Sequence, residues 1–308
     1  MTSSTSNFRK AIVIASVVVL CLTSLEAFTR TVLVRESKDL SRFSTYPARA
    51  RELMARPGPH VLFLGNSATE RGVDSRLAEQ ELGVPAELFS ADSSHINTWI
   101  WMMDAEFWKA GRSPELVVID YFGKSLEDGR HLELGRLAQF FTDRDDWSEL
   151  FEAELPTLDR RVELVVSSIW ATFAFRDRIR DRIFKLIPGY EHYATVENAE
   201  NNAMDKSEHG VTAPGSWSTL QRFLVLARDH HTRVVFVAFP TRSDYELEQP
   251  SLDAIRAAGM THLDLRHVPE LDPAKHYDDG IHLNAEGRRI YTLHLVSELK
   301  RLQLIPAP

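Results

Sequence analysis

The strongest constraint on the fold is a rhythm of five short apolar runs: Val61 to Leu64, Pro85 to Phe89, Glu115 to Tyr121, Arg233 to Phe239 and Thr261 to Leu265. Runs this short and this continuously apolar suit strands covered on both faces, as in parallel sheets. Between them lie stretches with helical spacing. Asp74 can cap one helix through Leu82, and Ser93 or Ser94 another to about Ala110, with Ile96, Trp99, Ile100, Met103 and Phe107 three or four apart on a core face. Further helices are expected over Ser216 to His230, over Pro250 to Gly259, and from Asn284 to about Lys300 with Ile290, Leu293 and Val296 inward. Strands alternating with helical crossovers predict a three-layer α/β/α fold around one five-stranded parallel sheet. Functional residues in such sheets gather beyond the carboxyl ends of the strands.

The rhythm pauses from about 123 to 215, where helical spacing continues without a strand, so a helical insertion is expected: Leu132 to Phe141, Asp145 to Leu155, and a long segment from Leu158 to Ile187. The last mixes Val165, Val166, Ile169, Trp170, Phe173 and Phe175 with Arg176, Arg178, Arg180 and Arg182. That composition suits a helix lying on a membrane or gripping a partner, and equally one packed on its own domain. Asn198 to Gly215 reads as a mobile loop.

Ahead of the rhythm, Arg9 and Lys10 precede an apolar run from Ala11 to Leu25. Extended to Thr29 it would make a helix about 28 Å long, near bilayer thickness. A cleaved signal peptide is the alternative, but Leu25 and Glu26 before Ala27 spoil a small-x-small cleavage site, so an uncleaved anchor is expected. Cys21, the single cysteine, follows Leu20 and lacks the small residue that a lipidation site requires before it. The charges before the run place the tail in the cytoplasm and the rest outside, periplasmic or extracellular. The reading is residues 1–29 as tail and anchor, 30–59 as a helical stalk ending at Pro57-Gly58-Pro59, and 60–308 as the globular domain. A net charge of -8 offers no basic excess for nucleic acid.

Two short stretches carry chemistry. In Val61 to Asp74, VLFLGNSATERGVD, a strand breaks at Gly65-Asn66-Ser67 and a helix begins, which exposes the Ser67 hydroxyl. Such a turn is also an ordinary Asn-capped helix start. A serine nucleophile needs an imidazole to take its proton and a carboxylate to orient the imidazole. Asp279-Gly280-Ile281-His282 can supply both from one bend, with Asn284 capping the next helix. His276, Asp278, Asp279 and His282 also invite a metal reading, but no distant ligand accompanies them, and neither metal nor cofactor is expected. His230 and His231 read as surface or capping residues.

Together, GNS after the first run and DGIHLNAEG before the last helix resemble the SGNH, or GDSL-type, hydrolase superfamily, over about Val61 to Leu302. The resemblance implies an SGNH/flavodoxin-like sheet and a triad of Ser67 as nucleophile with Asp279 and His282. Two of the family's motifs depart. Where its second motif offers a glycine amide, this chain reads FSADSSHIN, with Ser93 the positional match; where its third offers an asparagine, the chain reads IDYFGKSLED. The oxyanion candidates are therefore Ser93, Asn97 and Lys124. Loss of one such donor costs on the order of a hundredfold in rate. The chain also resembles membrane-anchored SGNH-like proteins of envelope polysaccharide O-acylation. This implies ester chemistry on carbohydrate, by hydrolysis or acyl transfer, beside a membrane-bound O-acyltransferase partner. A non-catalytic glycan-binding or scaffold subunit is the alternative.

Overall fold

The computed structural model describes residues 3–129, 131–189 and 215–305. The chain divides into two compact units. One comprises Met1–Ser44, Glu133–Phe151 and Leu155–Glu200; the other comprises Thr45–Leu132, Glu152–Glu154 and Asn201–Pro308.

The second unit holds the sheet. Strands β1 (Val61–Gly65), β2 (Ala86–Ser90), β3 (Leu116–Tyr121), β4 (Arg233–Ala238) and β5 (Thr261–Asp264) are all parallel, in the order β2-β1-β3-β4-β5. All five expected runs are strands, within one or two residues at each end. Val61 and Phe63 pack on one face with Val118, Val235, Tyr291 and Leu295, under the helices Ser75–Leu82 and Ala285–Arg301. On the other face Phe89 meets Phe107 and Phe236 meets Phe223, under Ile96–Glu106 and Ser218–Asp229. Full burial of each such side chain contributes about 1.5–3 kcal/mol, which is why both faces must be covered. The chain leaves β1 to one side for β2 and returns to the other for β3. The carboxyl end of β1 is thus the crevice where the strand order reverses.

Local differences from the sequence reading have physical causes. Ser94 caps no helix; its hydroxyl donates to the Ala91 carbonyl and accepts from the Trp99 indole, and the helix begins at Ile96 instead. In the last helix the buried face is Gly287, Tyr291, Thr292, Leu295, Val296 and Leu299; Val296 lies inward as expected, whereas Ile290 and Leu293 are only partly buried, because Tyr291 reaches inward to Asp120. The segment expected as a helical stalk is helical over Lys38–Ala55, and the unit that holds the sheet includes its residues from Thr45 on. Its Tyr46 ring stacks on Phe89 at 4.1 Å. The Tyr46 hydroxyl donates to the Ser90 carbonyl and accepts from the Ser90 N–H, while Arg49 donates to the Leu88 carbonyl.

The first unit begins with a helix over Ser3–Phe28, long and apolar enough to cross a membrane, a property it would share with a signal sequence. Its apolar side chains, from Ile12 to Leu25, are exposed around the helix. The insertion contributes Trp147–Ala153, Leu158–Ile169, Ala171–Ala174 and Arg176–Phe184. The long helix expected over Leu158 to Ile187 is therefore broken at Trp170 and Phe175. The break at Trp170 frees the amides of Ala171 and Thr172, both of which donate to the Glu26 carboxylate. Residues 123–132 belong with the sheet, so the inserted unit starts near 133. Of the expected loop, residues 198–214 lie outside the described residues.

Candidate active site

The Ser67 turn is built by close packing. A Cβ on Gly65 would lie 1.9 Å from Thr69 Oγ1 and 3.0 Å from the Asp120 carbonyl oxygen, so only glycine lets the chain turn here. Asn66 then caps the Ser67–Gly72 helix, its side-chain oxygen accepting from the Ala68 N–H at 2.9 Å. Ser67 is left as the first helical residue, just beyond the end of β1.

The Asp279 loop is built by hydrogen bonds. Tyr277 and Leu283 form an antiparallel bridge; the Asp278 N–H donates to the His282 carbonyl, and the Asn284 N–H to the His276 carbonyl. Asn284 caps the following helix by accepting from the Gly287 N–H at 3.0 Å. Asp279 Oδ1 accepts the N–H groups of Ile281 and His282 at 2.7 and 2.8 Å, which bends the loop back on itself. From the loop after β4, the Arg242 N–H donates to the Gly280 carbonyl at 3.0 Å.

Turn and loop meet in one hydrogen-bonded line. His282 Nε2 lies 2.9 Å from Ser67 Oγ, and His282 Nδ1 lies 2.7 Å from Asp279 Oδ2. An ionised carboxylate only accepts, so Nδ1 carries the ring proton and Nε2 is free to accept from the serine hydroxyl. Asp279 is held well below the usual carboxylate range by the His282 ring, assisted by the two backbone N–H groups. A second tie runs beside the line, with Arg71 of the Ser67 helix 2.6 Å from Asp278. Sequence reading missed this tie; Arg71 stands four residues after Ser67 and Asp278 directly before Asp279, but nothing in a linear pattern pairs them.

The oxyanion candidates are placed unevenly. Ser93 lies in the loop after β2, and that loop is fastened to the serine turn. The Ala91 N–H donates to the Gly65 carbonyl at 3.0 Å, and the Asn66 side chain reaches the Ser94 carbonyl at 3.5 Å. Ser93 has φ +53°, a left-handed conformation that glycine adopts freely and serine at a cost of about 1–2 kcal/mol. The backbone here is glycine-shaped although the residue is serine. Asn97 is buried in the first turn of the Ile96–Glu106 helix. Lys124 is engaged with Glu127, its Nζ 3.5 Å from the carboxylate. The side chains considered for a metal are committed elsewhere: His276 Nδ1 accepts from the Asp272 N–H, Asp278 binds Arg71, and Asp279 binds His282.

Beneath the turn, buried Asp120 of β3 accepts from the Tyr291 hydroxyl at 2.9 Å, and burial pushes its carboxyl up to about 7. The signal for it was an aspartate inside the otherwise apolar run ELVVIDY.

No family model matches the chain, and no curated protein matches its sequence. Its structural neighbours are esterases and hydrolases of low identity. An acetylxylan esterase from Geobacillus stearothermophilus is 11% identical with a TM-score of 0.39, over 80% of this chain and 96% of that one. A lipolytic-class protein of the G-D-S-L family from Desulfitobacterium hafniense is 10% identical with a TM-score of 0.37, over 78% and 99%. An alpha/beta hydrolase from the metagenome of Lake Arreo, Spain, is 10% identical with a TM-score of 0.41, over 81% and 99%. These are likenesses of chain path alone.

Proposed function

We propose that this is an SGNH-like serine enzyme, anchored in a membrane by its first helix, that carries out ester chemistry on cell-envelope carbohydrate. The observation behind it is the line from Ser67 Oγ through His282 to Asp279 Oδ2, with both distances within hydrogen-bond reach. In this reading Ser67 Oγ attacks an ester carbonyl carbon as His282 Nε2 takes its proton. Asp279 holds the Nδ1 tautomer and balances the imidazolium. His282 then gives the proton to the departing alkoxide, leaving an acyl-Ser67. Water or a sugar hydroxyl next loses its proton to His282 and attacks the acyl carbon, which restores Ser67 and releases an acid or a new ester. With a sugar as acceptor the enzyme is an O-acetyltransferase, and a membrane-bound O-acyltransferase would be the partner that delivers acyl groups. Arg9 and Lys10 keep the short tail cytoplasmic and the sheet-bearing unit outside.

The departures at Ser93 and in IDYFGKSLED favour the second reading, a non-catalytic SGNH-like glycan-binding or scaffold subunit of an acyltransferase complex. Fluorophosphonate labelling and p-nitrophenyl acetate turnover of the full chain in detergent separate the two. Labelling that disappears in Ser67→Ala supports the enzyme. Wild type and Ser67→Ala that behave identically refute it. Slow turnover accelerated by added sugar identifies a transferase.

A further inference from the structure

Glu26 stands at the end of the apolar run and its carboxylate is fully engaged. Oε1 accepts the Ala171 N–H, and Oε2 accepts the Thr172 N–H and hydroxyl, each at 2.8 Å. Arg30 donates both to Glu26 and to the Ile169 carbonyl, at 2.7 and 2.9 Å, and the Thr29 and Thr172 hydroxyls lie 3.2 Å apart. These bonds fix the Ile169–Thr172 segment at one level of the first helix. From Ala11 to Glu26 that helix rises about 22 Å, so the level falls at the outer end of the apolar run, within about 8 Å of the far edge of a hydrocarbon core about 30 Å thick. The side chains presented there are apolar: Ile169 is 65% exposed and Trp170 37%. Tryptophan favours this boundary because its ring is apolar and its N–H polar.

The same surface continues into the next helix. A cavity of about 290 Å³ is lined by Thr172, Arg176, Ile179, Arg180, Ile183 and Phe184. Beyond it Ile183, Leu186 and Ile187 are exposed, Leu186 by 82%. Around them stand Arg176, Arg178, Arg180, Arg182 and Lys185; Arg176 pairs with Glu163, Arg178 with Asp39 and Arg180 with Asp177 and Asp181, which leaves Arg182 and Lys185 as the cations nearest the exposed Ile183, Leu186 and Ile187. An apolar surface with a basic border, continuous with a spanning helix, matches the layer where acyl chains meet phosphate.

We propose that Ile169, Trp170, Ile183, Leu186 and Ile187, with Arg182 and Lys185 bordering them, dock into the headgroup layer of an anionic phospholipid bilayer. The first unit would thus touch the membrane at a second place besides its helix. This rests on the reading of the first helix as a membrane span, and the test keeps the two apart. The full chain, carrying Cys21→Ser, is given one new cysteine (Ile169→Cys, Leu186→Cys or, as a control in the second unit, Val225→Cys). Each is labelled with a small fluorophore and reconstituted into vesicles of phosphatidylcholine and phosphatidylglycerol containing spin-labelled lipid. Labels at 169 and 186 are expected to be quenched roughly twofold or more beyond the label at 225, with less quenching at 186 once Arg182→Gln and Lys185→Gln are added. Quenching no greater than at 225, in protein that survives alkaline extraction, overturns the docking and leaves the span intact. Labels shielded from aqueous iodide but not quenched by lipid assign the surface to a protein instead, which also overturns it. Release of the wild-type chain by alkaline extraction overturns the span and the docking together.

Discussion

The turn that carries Ser67 and the loop that carries Asp279 and His282 meet at one hydrogen bond, yet they are held by opposite means. The turn is fixed by exclusion of space: Gly65 has no room for a methyl group, and Ala68, Thr69 and Gly72 are buried behind it. The loop is half-exposed and fixed by polar bonds, from Asp279 to two amides, from Asp278 to Arg71, and from Gly280 to Arg242. One side of the site is therefore bound up with the stability of the sheet, while the other can be altered with the fold left standing.

The sharpest way to break that contrast is a pair of substitutions. Asp279→Asn should cut turnover of an activated ester by about 10⁴-fold, through loss of the correct imidazole tautomer, with little change in the unfolding midpoint. Gly65→Ala should instead lower stability by about 1–3 kcal/mol or more, read by thermal unfolding, because its Cβ would overlap Thr69. A stable Gly65→Ala protein, or an unfolded Asp279→Asn protein, would end the distinction.

A pH series sharpens it further, because the two aspartates shift in opposite directions. Asp120 keeps its proton in the folded state up to about 7, whereas the unfolded chain loses it near the ordinary carboxylate value of 3.8. The folded state binds more protons between these values, so stability falls as pH rises from about 4 to 7, by up to about 4 kcal/mol. Partly buried Glu154, also pushed up to about 7 by desolvation, adds a slope of the same sign. Asp279 is lowered; its contribution is present above the ordinary value and disappears as pH falls below it, and exposure keeps it small. Asp120→Asn, which can still accept from Tyr291, should flatten the slope from 4 to 7, as read from unfolding midpoints. An unchanged slope would assign the pH dependence elsewhere. The smallest expected effect is at Ser93. Ser93→Gly relieves the left-handed strain but frees the unfolded chain, so its midpoint should shift by less than about 1 kcal/mol in equivalent stability, while Ser93→Val should lower it. A large loss in Ser93→Gly would mean that the hydroxyl itself holds the loop.

The strands were legible because a run such as Val61 to Leu64 can satisfy its apolar side chains only inside a covered sheet. Asp279 and His282, three residues apart, were legible as a local constellation. Ser67 joined them only through the pattern of motifs, since 215 residues separate it from His282. What escaped reading was long-range and polar. Glu26 takes the amides of Ala171 and Thr172 from a segment about 145 residues away, and so breaks a helix whose own spacing was continuous. Arg71 and Asp278, or Asp120 and Tyr291, pair across the fold without periodicity. Tyr46 lay in a stretch polar enough to read as a stalk, because a single aromatic side chain does not announce where it will be buried.

That tyrosine decides how the molecule can be cut. β2 is the outermost strand on its side of the sheet, and the Tyr46 hydroxyl and Arg49 guanidinium occupy the backbone groups of Leu88 and Ser90 that no neighbouring strand takes up. A soluble fragment begun at His60, where Pro57-Gly58-Pro59 invites the cut, would shed both side chains and bare a strand edge able to recruit the same edge of another copy into aggregates. A fragment begun ahead of Thr45 would carry its own edge guard.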